Sequence, residues 1–220
     1  MDDDNGEENG EEIGRVEWLD QRRTEPRYLD AGQIARLLEE LGDEFRPIAA
    51  CCAYGAMRIG EALALTWADV DFAAGMIAVP GTKTAASAQP VPMIETLAVE
   101  LRAHRSAQAA LSFARVKPVA LVFQTATGMP QHRKNTLRAV WRAGDAAGLN
   151  PKGAERVGLH DLRHSCAGLL LAAGVSMPKV AAVLRHSNPR ITGDVYAGLV
   201  ETGRAELAVD LTAAFGRRTT

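Results

Sequence analysis

A mainly α-helical domain with one small antiparallel β-sheet is what this 220-residue chain predicts, on three grounds. Apolar residues recur at helical spacing through most of the chain after residue 30. That period gives way to short extended runs in one place only, residues 72–93. Gly, Pro and capping residues stand where the patterns change.

The elements follow in order. Residues 1–26 hold ten acids against three arginines, a net of −7, and have little to bury, so a disordered acidic tail is expected there. Order is expected from about Tyr28. Asp30 suits the N-cap of AGQIARLLEEL, with Ile34, Leu37, Leu38 and Leu41 on one face and Gly42 as the stop. A second helix is expected over 44–53, and a third from Arg58 to Leu65 after the Tyr54-Gly55 break. FAAGMIAVPG and QPVPM read as two strands joined by GTKTAASA. A long helix over 94–111 precedes the apolar piece ALVFQ and a helix over 131–146. GLNPKGAERVG is a loop. HDLRHSCAGLLLAAG is an amphipathic helix with Leu162, Cys166, Leu169, Leu170 and Ala173 on its buried face. Ser176 caps the next helix, with Pro178 in its first turn. ITGDVYAGLV and GRAELAVDLTAAFG complete the helical set.

Composition removes several classes of function. Hydrophobic residues at 47% and charged residues at 24% are globular values. No apolar run is long enough for a membrane helix, and no signal peptide opens the chain. Cys51, Cys52 and Cys166 suit neither a disulfide framework nor a four-ligand zinc site, and core packing with reduced thiols in the cytoplasm is the expectation. The overall charge of −2 conceals a body of net +5 behind the acidic tail, which permits a polyanionic partner. Phosphate-binding glycine loops, H-E-x-x-H and carboxylate clusters fit for magnesium are all missing, so no cofactor or metal is expected.

What remains is a set of cationic residues at element boundaries. Arg58 opens a helix, with Glu61 one turn on; a lone R-x-x-E is most often a surface ion pair. His160 and Arg163 stand at a helix start, where free N–H groups favour an anion. Taken alone, they would read as exposed basic residues. His186 precedes Tyr196 by ten residues, and Tyr196 is one of three tyrosines, with Tyr28 and Tyr54. A tyrosine in an amphipathic helix is most often core filling.

Together, in this order and spacing, these pieces resemble the catalytic domain of the tyrosine recombinase (phage integrase) family, over roughly residues 27–200. Arg58 in G-x-x-R-I-x-E resembles the first arginine box, Lys83 in T-K-T the mobile hairpin lysine, and His160 with Arg163 the H-x-x-R pair. His186 fits the H-S after the next helix, Tyr196 the nucleophile, and Glu61 the acid that supports the first arginine. The resemblance implies a tyrosine recombinase/type IB topoisomerase-like catalytic domain over 27–216, with the core-binding domain absent. It implies a site-specific DNA recombinase or integrase of bacterial or phage origin, working through a 3′-phosphotyrosine without metal or ATP. It also implies double-stranded DNA as partner and a synaptic tetramer joined through the C-terminal helix. Two other readings stay open: a type IB topoisomerase-like nicking–closing enzyme, and a non-catalytic DNA-binding remnant of an integrase. Arg185 departs from the pattern, standing where a glycine usually precedes the histidine and adding bulk and charge near the site. Gly193 departs too, weakening the helix before Tyr196 by about 1 kcal/mol relative to alanine.

Overall fold

The computed structural model describes residues 27–80, 90–153 and 155–185. The acidic segment 1–26, the expected hairpin turn with Lys83, and everything after residue 185, including His186, Gly193, Tyr196 and the expected C-terminal helix, lie outside the described residues.

Seven α-helices, two short 3-10 helices and three short strands make up the described part. Helix α1, Ala31–Glu39, starts at Asp30, whose carboxylate accepts from Gln33 N–H while the Gln33 side chain accepts from Asp30 N–H. That reciprocal cap is local, which is why the start is legible in sequence. The end is not at Gly42: the helix stops at Glu39, and Leu41 is buried from the turn beyond it.

Helix α2, Arg46–Tyr54, is the centre of the domain and packs against α1, α3, α4, α5 and α6. Its run Ala49, Ala50, Cys51, Cys52, Ala53 is buried on every side, since small side chains let several neighbours approach one helix. Cys51 and Cys52 thus pack the core as expected, and Cys166 is buried too. Burial pushes the Cys52 thiol up to about 12 and that of Cys166 to about 11, so all three stay protonated.

Helix α3, Ile59–Ala64, leads into a sheet of three strands, not two. Val70–Asp71 (β1), Met76–Ala78 (β2) and Pro90–Pro92 (β3) are antiparallel in the order β1-β2-β3. Residues 72–75, read from sequence as strand, form the turn from β1 to β2, with Gly75 at φ +64°. Val70, Ile77 and Val91 align across the sheet and make its buried face. Each fully buried side chain such as Ile77 contributes about 1.5–3 kcal/mol.

Helix α4 is Glu95–Leu111, α5 Arg133–Ala146, α6 Leu159–Ala172 and α7 Met177–Leu184. Val122 and Phe123 carry the intervening apolar piece into the core, flanked by single bridges to Thr66 and Pro130. α6 divides two clusters: Leu162 and Leu169 face the main core, while Cys166, Ala167 and Leu170 meet Ala56, Val180 and Leu184. Ala173, assigned from its spacing to the buried face, is exposed at the helix end, and Arg163 is buried in its stead. Among the described residues, no helix is long and apolar enough to cross a membrane.

Candidate active site

The site begins where α2 ends. A Cβ on Gly55 would stand 2.9 Å from the Cys51 carbonyl oxygen, so a glycine is needed as the chain turns away. Ala56 follows at φ +48°, and Arg58 then takes the extended N-cap conformation of α3. Its side chain is about a third exposed, at 38%.

Glu61, in the first turn of α3, has no exposed surface. Its Oε2 accepts the Arg58 backbone N–H at 2.8 Å and its Oε1 accepts Arg58 Nη1 at 2.8 Å. Oε2 also accepts Arg185 Nη2 at 2.6 Å, and Arg163 Nη1 stands 4.0 Å away. The pair is therefore no surface ion pair: one buried carboxylate is the counter-ion of three guanidinium groups. Burial alone would raise the Glu61 pKa, but the hydrogen bonds from Arg58, with the charge and hydrogen bond of Arg185, outweigh it and hold the carboxyl below its usual range.

Arg163, on the first turns of α6, is 1% exposed. Its Nη1 donates to the Ala56 carbonyl and its Nη2 to the Leu184 carbonyl, so it ties α2's exit to the end of α7. His160, three residues earlier, is on the exposed side of the same helix. His164 meets its ring edge-on, centroids 4.4 Å apart. The protein packed around His160, followed by the charge of Arg163, lowers its pKa, so the imidazole is neutral at pH 7 and can accept a proton. Asp161 Oδ2 accepts Gly158 N–H at 2.8 Å and caps the helix that carries these residues.

A cleft of about 720 Å³ brings Arg58 and His160 together. Its other wall includes Arg133, at the first turn of α5, with Trp141 and Arg156. The Arg156 guanidinium lies over the Trp141 ring at 5.9 Å. Sequence reasoning missed Arg133 and Arg156; the run His132-Arg133-Lys134 at a helix start was the available signal for the first. Of the expected site residues, Arg58, Glu61, His160 and Arg163 come together around α3 and the start of α6. Lys83, His186 and Tyr196 lie outside the described residues.

Glu61→Gln should be strongly destabilising, because it leaves buried Arg163 and Arg185 without a carboxylate. Breaking a buried pair from one side costs roughly 3–5 kcal/mol. Urea unfolding at pH 7 measures it. The Glu61 pKa is depressed on folding, so its contribution is complete above the ordinary value of 4.5 and is lost as pH falls through the folded value. The variant should lack that acid-side loss, and a variant as stable as the parent at pH 7 would show that the three arginines do not depend on Glu61.

Comparison with known proteins bears on the family and the fold. The model of the phage integrase family matches residues 27–201. No curated protein matches by sequence. Among solved structures the fold is similar to that of XerA recombinase, at 23% identity and a TM-score of 0.70 over 90% of this chain and 66% of that one. It is also similar to the Tn1549 transposon integrase in complex with transposon right end DNA, at 18% identity and TM-score 0.68 over 86% of this chain and 69% of that one. For the XerH site-specific recombinase bound to its difH substrate the values are 20% and 0.63, over 79% of this chain. The chain spans about two thirds of the first two relatives and 50% of XerH. With a family model matched over most of its length and a helical fold shared with several recombinases, this chain belongs to the phage integrase family.

Proposed function

We propose that this protein is a DNA strand transferase that cleaves and rejoins duplex DNA through a 3′-phosphotyrosine, and that residues 27–216 are its catalytic domain. The observation that carries the reading is the cleft shared by Arg58, held by Glu61, and His160, in a chain of this family. Solved relatives described as bound to transposon DNA or to a difH site support duplex DNA as the substrate.

In this reading the Tyr196 phenolic oxygen attacks the scissile phosphorus and the bond from phosphorus to the 5′ oxygen breaks. The phenol's proton passes to neutral His160, and Lys83 donates a proton to the departing 5′ oxygen, leaving a free hydroxyl. Phosphoester bond energy is kept in the adduct, so a second hydroxyl can reverse the step without ATP. Charge that gathers on the non-bridging oxygens needs fixed cations, and Arg58 with His186 supplies them, Arg163 adding its buried positive charge, without a metal ion. Assembly into a tetramer through the C-terminal helix belongs to the same proposal.

The test is a duplex nicked near the cleavage site, so that the released fragment diffuses away and the covalent adduct accumulates. A shifted, protease-sensitive band in a denaturing gel supports the reading. A chain that binds duplex but never forms the band is the non-catalytic remnant instead. Arg58→Lys keeps the charge and loses the planar fork, so adduct formation should fall on the order of 10²–10³-fold. Parental cleavage by that variant would mean that Arg58 does not hold the phosphate.

A further inference from the structure

Arg185 is an expensive residue where it stands. It ends α7 at φ +52°, a left-handed conformation that favours glycine or asparagine. Its side chain turns inward and is almost completely buried, at 1% exposure. Nη1 donates to the Val183 carbonyl at 3.1 Å, and Nη2 to Glu61 at 2.6 Å and the Ala56 carbonyl at 3.4 Å. Nε is buried with no hydrogen-bond partner. A strained backbone, a buried charge and an orphaned donor all oppose this placement. The contact that offsets them is the ion pair with Glu61.

That contact lies within the arginine cluster. Ala56, the other non-glycine residue with positive φ among the described residues, offers its carbonyl to both Arg163 and Arg185. Arg185 thus touches the carboxylate that holds Arg58 and shares an acceptor with Arg163. It does not reach the cleft itself, so it acts through its neighbours.

We propose that Arg185 is a positioning residue of this site: by occupying Oε2 of Glu61 it keeps the carboxylate turned to Arg58 and keeps Arg163 on its backbone carbonyls. This rests on the strand-transfer reading above. Without Arg185, the Glu61 oxygen it occupies has Arg163 Nη1 as the next cation in reach, at 4.0 Å. Arg163 is then drawn towards Glu61 and the carboxylate turns to meet it, so the Oε1 that holds Arg58 Nη1 in the cleft no longer stands in place. Displacing a group that must align with reacting atoms by about 1 Å can cost on the order of 10²-fold in rate.

The experiment compares the parent with Arg185→Met, which fills the volume without the charge, and Arg185→Lys, which keeps the charge. Arg185→Gly, at ease at φ +52°, replaces the methionine variant if that one fails to fold. Each is tested for melting temperature, duplex affinity, single-turnover adduct formation on the nicked duplex, and titration of the Glu61 carboxyl by carbon NMR. Loss of the charge should slow adduct formation on the order of 10–100-fold with duplex affinity unchanged, and lysine should restore most of the rate. The Glu61 titration should move up in the uncharged variant and stay low with lysine. An uncharged variant that forms the adduct at the parental rate overturns the inference. So does a lysine variant that melts like the parent yet is as slow as methionine. A parent that forms no adduct overturns the strand-transfer reading, and the positioning role with it.

Discussion

Tyr196→Phe should abolish the covalent adduct with DNA completely, and no change of substrate should bring it back. The substitution removes one oxygen, the only atom the proposed reaction uses to form a bond to phosphorus. Folding and duplex binding should be unaffected, since only the hydroxyl is removed. The other two tyrosines cannot stand in. Tyr54 closes α2, partly buried against the main core, and burial, with Glu100 nearby, raises its hydroxyl pKa. Its phenolate is therefore harder to form than that of a free tyrosine. Tyr28 packs against the second cluster, with Leu170 and Val175. The check is a denaturing gel of the nicked duplex incubated with each protein. Any surviving adduct in the phenylalanine variant would assign the nucleophile to another residue, and mapping the labelled peptide would identify it.

The elements that were legible in sequence are those whose cause is local. Asp30 and Gln33 cap α1 across three residues, and Arg58 and Glu61 meet across the same interval. His160 and Arg163 lie one turn apart on α6. Strand β1 is two residues long and exists through pairing with β2, so nothing in its own sequence marks it. The burial of Arg163 was illegible for the same reason. An arginine beside an apolar stripe reads as exposed unless its partners are known, and here they are the carbonyls of Ala56 and Leu184, 107 and 21 residues away. Arg185 is the sharper case. Sequence marked it as a bulky charge near the site, but its partner Glu61 is 124 residues earlier. Only the fold brings the two together, and it turns an apparent intrusion into a second hold on the shared carboxylate. The cleft's far wall has a similar explanation, because Arg133 shares the cleft with Arg58 only once α5 packs against α3, and Arg156 joins them from the segment before α6.

Lys83→Ala should fail in a different way from Tyr196→Phe, and the difference tests whether the lysine is an acid. Removing it leaves the nucleophile intact and strands the 5′ oxygen without a proton donor, a deficit of about 10²–10⁴-fold in adduct formation. An alkoxide is a poor leaving group, so the loss falls on the bond-breaking step. Replacing the 5′-bridging oxygen of the scissile phosphate by sulfur changes that requirement. A thiol has a pKa near ~8.5 and leaves as a thiolate with little need of protonation. The sulfur substrate should therefore restore cleavage to Lys83→Ala and leave Tyr196→Phe inactive. The measurement is the single-turnover rate of each variant on oxygen and sulfur substrates of the same sequence. If sulfur rescues neither variant while the parent cuts it normally, Lys83 holds a phosphate and is not the acid. If Lys83→Ala cuts both substrates like the parent, the lysine has no part in the reaction, and the proton comes from elsewhere.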